Sequence, residues 1–192
     1  MKVRLKRLHK RVTHTVIGVS LLVLLLLLAA CEDPTSGGGG TLDFSVADAT
    51  LSSGESDGET WVALALYSEP LGANYDPATG SDQLTFLFFV EEVGESVSGV
   101  IDTAPTREQG TAFVLLYTDI DTAAFGMYVT SDEEPVTVDT PGFNPDSGSS
   151  DTVSVSVSGT FNVQDPLTTD SRTVTVSYEG NATIISAEDF NY

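Results

Sequence analysis

Val153, Val155, Val157, Phe161 and Val163 alternate with Ser, Thr, Asn and Gln, and the alternation resumes at Val174, Val176, Tyr178, Ala182 and Ile184. Successive side chains of an extended chain point to opposite faces, so each run has one apolar face and one hydroxyl-rich face. The two runs are joined by Asp165-Pro166-Leu167-Thr168-Thr169-Asp170, a turn-forming stretch. Together they predict a long antiparallel hairpin with one face in a core. Gly159 and Gly180 fall on the apolar face, where a mid-strand glycine marks a bulge or a close backbone approach. A slip of one residue would exchange the faces, so the pattern also specifies register.

The rest of the chain beyond residue 41 follows the same period. Leu42, Phe44 and Val46 alternate with Asp43, Ser45 and Ala47. Residues 61–67 and 84–90 are apolar on both faces, which predicts central strands, and 112–117 is similar. Phe125, Met127 and Val129 form another alternating set, and short strands are expected at 97–101 and 136–138. Stretches 52–59, 73–82 and 141–151 are rich in Gly, Pro, Asp and Ser and are expected to be loops. No stretch here sustains a period of 3.6. Roughly eight or nine short strands in about 150 residues predict an all-β fold: a single antiparallel β-sandwich over 41–192, with a β-barrel as the alternative.

Charge narrows the chemistry. Six of the eight basic residues (Lys2, Arg4, Lys6, Arg7, Lys10, Arg11) and both histidines (His9, His14) precede residue 31, and all 28 acidic residues follow it. The part from 31 onward therefore sets two arginines, Arg107 and Arg172, against 28 acids, a balance of −26 with no lysine. Without histidine there is no Ser-His-Asp triad and no His-based zinc site. Two arginines cannot neutralise a phosphate backbone, which argues against nucleic-acid binding, and anionic headgroups would be repelled. The acids cluster between apolar runs, so a folded core inside an acidic shell is expected rather than disorder. Acid excess with almost no lysine resembles proteins from high-salt habitats, where ions screen the self-repulsion. A calcium-loaded surface or a cationic partner are the alternatives.

The basic N-terminus is followed by an apolar run over 16–30, interrupted only by Gly18 and Ser20. Basic flank, apolar core and small terminal residues are the parts of a secretory signal. The run is shorter than the roughly 20 residues of a spanning helix, and Glu32-Asp33-Pro34 follows instead of a basic flank. Leu28-Ala29-Ala30-Cys31 resembles the lipobox of bacterial lipoproteins, which implies acylation of Cys31 and cleavage before it. Cys31 is the only cysteine, so no disulfide is available to the exported part. Two or more acyl chains would make the anchor effectively permanent. The expected organisation is a signal peptide over 1–30, a lipidated Cys31 with a Gly-rich tether over 31–40, and the β domain over 41–192. The tether together with Gly159-Thr160-Phe161 and Thr173-Val174-Thr175-Val176 resembles small all-β lipoproteins of Bacteroidota-like bacteria. Glu32-Asp33 after the cysteine resembles the surface-export signal of that group, which implies the outer membrane rather than the inner.

Asp119-Ile120-Asp121 ends a predicted strand, where a D-x-D pair places two carboxylates on one face toward calcium. Asp57/Glu59 and Asp76/Asp82 offer similar loop pairs, and none has EF-hand spacing. Adjacent acids Glu91-Glu92 and Glu133-Glu134 point to opposite faces in a strand, which does not suit glycoside hydrolysis. Trp61 and Tyr67 sit in a strongly apolar strand and are expected in the core; Tyr75 and Phe143 lie in loops and are candidates to stack on a sugar. The sequence thus predicts a lipid-anchored envelope protein with a non-enzymatic β domain, bound to the bilayer through Cys31 and facing an envelope protein or glycan. The competing expectation is a hydrolase or calcium-dependent glycan binder using acidic residues alone. No cofactor is expected beyond calcium.

Overall fold

The computed structural model describes residues 40–102, 107–130, 133–144 and 151–190. Within them lie β1 (Thr41–Phe44), β2 (Asp48–Ser56), β3 (Glu59–Tyr67), β4 (Gln83–Val90), β5 (Ser96–Ile101), β6 (Thr111–Thr118), β7 (Gly126–Thr130), β8 (Pro135–Asp139), β9 (Thr152–Gln164) and β10 (Ser171–Ile184). A single 3₁₀ turn, Ala73–Tyr75, interrupts the loop between β3 and β4. The β9–β10 hairpin forms as the alternation predicts, in register from Ser171↔Gln164 to Thr183↔Thr152.

The architecture is not a sandwich. Eight strands close on themselves in the order β10-β2-β3-β4-β6-β5-β8-β9, with β9 returning to β10. Closure depends on parallel contacts that no local pattern announces. β10 takes β2 in parallel at Thr183 and Ile184, and β1 joins β10 in parallel along Thr173–Val176 outside the closed eight. β5 likewise joins the start of β6 in parallel, through Val100↔Thr111 and Ile101↔Ala112. β7 supplements the wall, bridging the end of β6 to the end of β9. A β-sheet with one apolar face satisfies that face equally well by facing a second sheet or by curling around itself, so the alternation alone does not separate the two.

The inward faces fill the barrel. Val153, Val155, Val157, Phe161, Val163, Val174, Val176 and Ile184 of the hairpin are all buried, as predicted. Phe86 on β4 meets Phe161 on β9 edge-on, with ring centroids 5.5 Å apart, although the two strands are not neighbours in the wall. An eight-stranded barrel has an interior just wide enough for side chains to fill. The β9–β10 hairpin is apolar inside and hydroxyl-rich outside, the inverse of a strand in a membrane-spanning barrel.

A second apolar layer lies outside the wall. Trp61, Ala63, Ala65 and Tyr67 on the outer face of β3 are covered by Ile185 and Phe190 from the residues after β10, and by Leu71 and Tyr75 from the loop after β3. Trp61 and Phe190 have ring centroids 6.0 Å apart. This is why residues 61–67 are apolar on both faces.

Three sequence expectations need correction. Residues 52–56 continue β2, and the reversal is the two-residue turn Asp57-Gly58, with φ of 57° and 88°. Left-handed conformation at both positions is what a type I′ hairpin turn requires, and Asp-Gly supplies it. In β7 the inward residues are Tyr128 and Thr130, while Met127 and Val129 face out. Phe143, expected on a surface, is buried in the main core.

The two mid-strand glycines make room for rings rather than bulges. A Cβ at Gly159 would lie 2.4 Å from the Phe161 ring, which is itself wedged against Phe86. A Cβ at Gly180 would lie 2.5 Å from the Tyr178 hydroxyl, which is part-exposed and can swing out at the loss of its 2.8 Å bond to the Asn181 carbonyl. Gly159→Ala is therefore expected to lose about 1–3 kcal/mol by overpacking. Gly180→Ala should lose less than about 1 kcal/mol, the value of one exposed hydrogen bond. Urea unfolding of the two variants checks the contrast, and equal losses would contradict it.

Candidate functional site

Asp119 and Asp121 lie beyond the end of β6 in left-handed conformations, with φ of 51° and 59°. Side chains do not alternate with a period of two in such a turn, so the two carboxylates are not set on one strand face as the D-x-D spacing predicts. The turn is zipped to the one before β4: Gly80 N–H donates to the Ile120 carbonyl at 2.7 Å and Ile120 N–H to the Ser81 carbonyl at 3.0 Å. The Asp82 carboxylate accepts the Asp119 N–H at 3.0 Å, which gives it a structural task. Among the described residues no group of three or more His, Cys, Asp or Glu side chains is placed to hold a metal ion. Asp57, of the Asp57/Glu59 loop pair, pairs with Arg107 at 3.2 Å on the surface.

The loop between β3 and β4 is fastened down. Asp48 accepts the N–H of Leu71, and Ser68 and Asp82 exchange hydrogen bonds at its base. Beneath it the Tyr67 hydroxyl lies 3.4 Å from the Thr50 hydroxyl. Burial pushes the Tyr67 phenol above its ordinary value; the bond with Thr50 opposes this and the negative charge of Asp48 adds to it. Tyr67 therefore stays a neutral, buried hydrogen-bonding phenol. Trp61, Tyr67 and Phe143 are all buried and unavailable for stacking on a sugar, and Tyr75 packs against the outer cluster.

A groove of about 370 Å³ runs along the wall between β8 and β9. These strands share the register pair Asp139↔Ser156 and then diverge, while β7 meets β9 at Val163 and Gln164. Thr137, Asp139, Ser156, Ser158 and Thr160 line the groove, so its character is that of hydroxyl groups and backbone edges. Its two acidic residues, Glu134 and Asp139, are five positions apart, which sets their backbones roughly 16 Å apart along an extended chain.

The end of the barrel at which the chain enters is different. Thr173 N–H donates to the Gly40 carbonyl at 3.3 Å, fixing the entry beside the start of β10. Two turns flank this point. The β9–β10 turn presents Leu167, 77% exposed, and the β6–β7 turn presents Phe125, 53% exposed. Phe125 stacks on Tyr117 with ring centroids 6.1 Å apart and an interplanar angle of 20°. Leu167 is held out by Asp165, whose Oδ1 accepts the N–H of Leu167 at 2.7 Å and of Thr168 at 3.1 Å. Burial by itself would raise the Asp165 carboxyl, but these two N–H donors and the Thr168 hydroxyl outweigh it and hold the carboxyl below its ordinary value. The sequence does not single out Leu167, and it sets Phe125 in a strand face with Met127 and Val129, whereas Phe125 lies in the turn before β7. A leucine inside a Pro-Leu-Thr-Thr turn, with no strand to bury it, was the available signal for the first.

Cys31 lies outside the described residues. No family model matches the chain, and no curated protein or solved structure shows significant similarity to it.

Proposed function

We propose that this protein is a lipid-anchored envelope lipoprotein whose barrel acts as a non-enzymatic binding or structural module. The observation that carries the reading is Leu28-Ala29-Ala30-Cys31, placed after a short apolar run and before an acidic stretch. The first strand, β1, starts at Thr41, next to the Gly-rich residues 37–40, in keeping with a tether that ends where the domain begins. Side chains meeting across the barrel favour recognition on the exterior surface over carriage of a ligand inside. The outer membrane fits Glu32-Asp33 better than the inner.

Expressed in a bacterium, the full chain should incorporate labelled palmitate and partition with membranes. Cys31→Ala should lose all label and release the protein from the membrane fraction. Label retained in the variant would refute the assignment of Cys31.

A further inference from the structure

We propose that the entry end of the barrel is a lipid-contacting surface, with Leu167 and Phe125 seated in the headgroup region of a zwitterionic bilayer. The inference rests on the lipid-anchor reading and adds which face of the domain the membrane meets. It starts from chain connectivity. Residues 32–40 are nine, and nine residues fully extended reach at most about 30 Å, so a bilayer holding residue 31 lies within that distance of Gly40.

The register then places the apolar tips near Gly40. Thr41 pairs with Thr173 on β10, Thr173 with Asn162 on β9, and Gln164, two residues further along β9, with Val129 on β7. Three strand spacings of about 4.8 Å therefore separate the entry strand from β7. The turn carrying Leu167 joins β9 to β10 inside this span, and the turn carrying Phe125 leads into β7 at its edge. Of the three large hydrophobic side chains that are mostly exposed among the described residues, two lie on these neighbouring turns.

Neither is exposed through disorder of its turn. Asp165 N–H donates to the Asp170 carbonyl at 2.8 Å and Thr169 N–H to the Asp165 carbonyl at 3.1 Å, so Leu167 stands on a hydrogen-bonded platform. Phe125 is backed by Tyr117, with Met127 and Val129 continuing part-exposed on the outer face of β7. Singly, such side chains are ordinary, but two on neighbouring ordered turns with a polar rim have the pattern of a membrane contact. Asp165 and Asp170 rim the same turn and Asp119 and Asp121 the other, which disfavours an anionic surface and leaves zwitterionic lipid as the partner. A tether holding the domain at the surface raises the effective concentration of lipid, so even a contact of two side chains is populated.

The test uses the acylated full-length protein in phosphatidylcholine vesicles. Cys31 is the sole cysteine and is blocked by acylation, so a cysteine introduced by Leu167→Cys, Phe125→Cys or Glu55→Cys takes an environment-sensitive fluorophore uniquely. Glu55 is exposed near the opposite end of the barrel, beside the β2–β3 turn. The label at 167 and 125 should shift to the blue and be quenched several-fold more strongly by lipid-borne nitroxide than the label at 55. Equal quenching at all three positions, with palmitate incorporated and the protein vesicle-bound, would overturn the inference and leave the anchor standing. A blue shift that appears without lipid and grows with protein concentration would assign the surface to a second copy instead. Wild-type protein that takes up no palmitate would remove the anchor reading, and this inference with it.

Discussion

Val176→Asp is expected to abolish folding, whereas Ser154→Asp should leave the protein folded with a loss within about 0.5 kcal/mol. Val176 is 2% exposed and sits where three strands meet, opposite Phe44 on β1 and Gly159 on β9. A carboxylate there has no partner and costs several kcal/mol to bury, against a total stability of about 5–15 kcal/mol. The residue is also at the seam: losing β1 from β10 opens one of the parallel contacts beside the closure. Ser154 faces solvent opposite Asn181, so an acid there stays hydrated. Thr175 is a poorer control than its exposure suggests, because it pairs with Asp43 and shares a 3.2 Å hydroxyl contact with Thr160. Far-UV circular dichroism and urea unfolding in molar NaCl separate the outcomes. Similar damage from Val176→Asp and Ser154→Asp would mean that the hairpin has no exposed face.

The elements themselves were largely legible because alternation is a local property and this chain states it plainly. Residues 153–184 give the longest hairpin with its buried face, and 61–67 and 84–90 give strands covered on both sides. In β2 composition and turn chemistry point different ways. Ser52, Ser53, Gly54, Glu55 and Ser56 look like loop, yet Asp57-Gly58 is a strong hairpin signal, and it pairs all nine residues of β2 with β3. Ser52 is fully buried on the outer face, so hydroxyl residues in this strand are packed and not merely solvated. The sequence offers the barrel only as the alternative to a sandwich, because closure joins residues more than 130 positions apart, such as Thr50 with Thr183, and in parallel. Such a pairing leaves no mark in either segment that a sandwich would not also leave.

Site residues were less legible than strands for a related reason. A D-x-D pair suggests a shared face only while the chain stays extended, and at Asp119 and Asp121 it does not. Aromatics in loops suggest a binding surface only if the loops stand free. Tyr75 is instead pulled onto the outer cluster by the fastening of its loop to Asp48. Leu167 is a single apolar residue in a turn, which is ordinary in sequence, and Phe125 reads as the first member of an alternating strand set although β7 starts only at Gly126; only the register shows that their turns are neighbours at the entry end.

Folding of the domain should depend steeply on salt. The part from residue 31 onward carries a balance of −26. Its two arginines are both engaged: Arg107 with Asp57, and Arg172 4.7 Å above the Tyr128 ring. A folded unit of about 150 residues approximates a sphere roughly 20 Å in radius. Without Glu32 and Asp33 of the tether that unit carries −24, and its self-repulsion is on the order of 40 kcal/mol at 0.01 M salt, where the screening length is about 30 Å. At 1 M, with a screening length of about 3 Å, it falls to roughly 10 kcal/mol. The unfolded chain is larger and retains a smaller share of the repulsion, so the differential penalty that salt removes is on the order of 10 kcal/mol. That is comparable to the whole stability of a domain. The full chain, acylated and in mild detergent, should thus be partly or wholly unfolded at 0.01 M NaCl and melt cooperatively at 1–2 M. General screening predicts that KCl acts as well as NaCl and that millimolar calcium adds little at high salt. A calcium site at Asp119 and Asp121 predicts the opposite: millimolar calcium should raise the melting temperature even in molar NaCl, and Asp119→Asn should remove the gain. A melting temperature that is flat from 0.01 to 2 M NaCl would refute the salt-adapted reading and shift the burden of the acidic shell to a cationic partner.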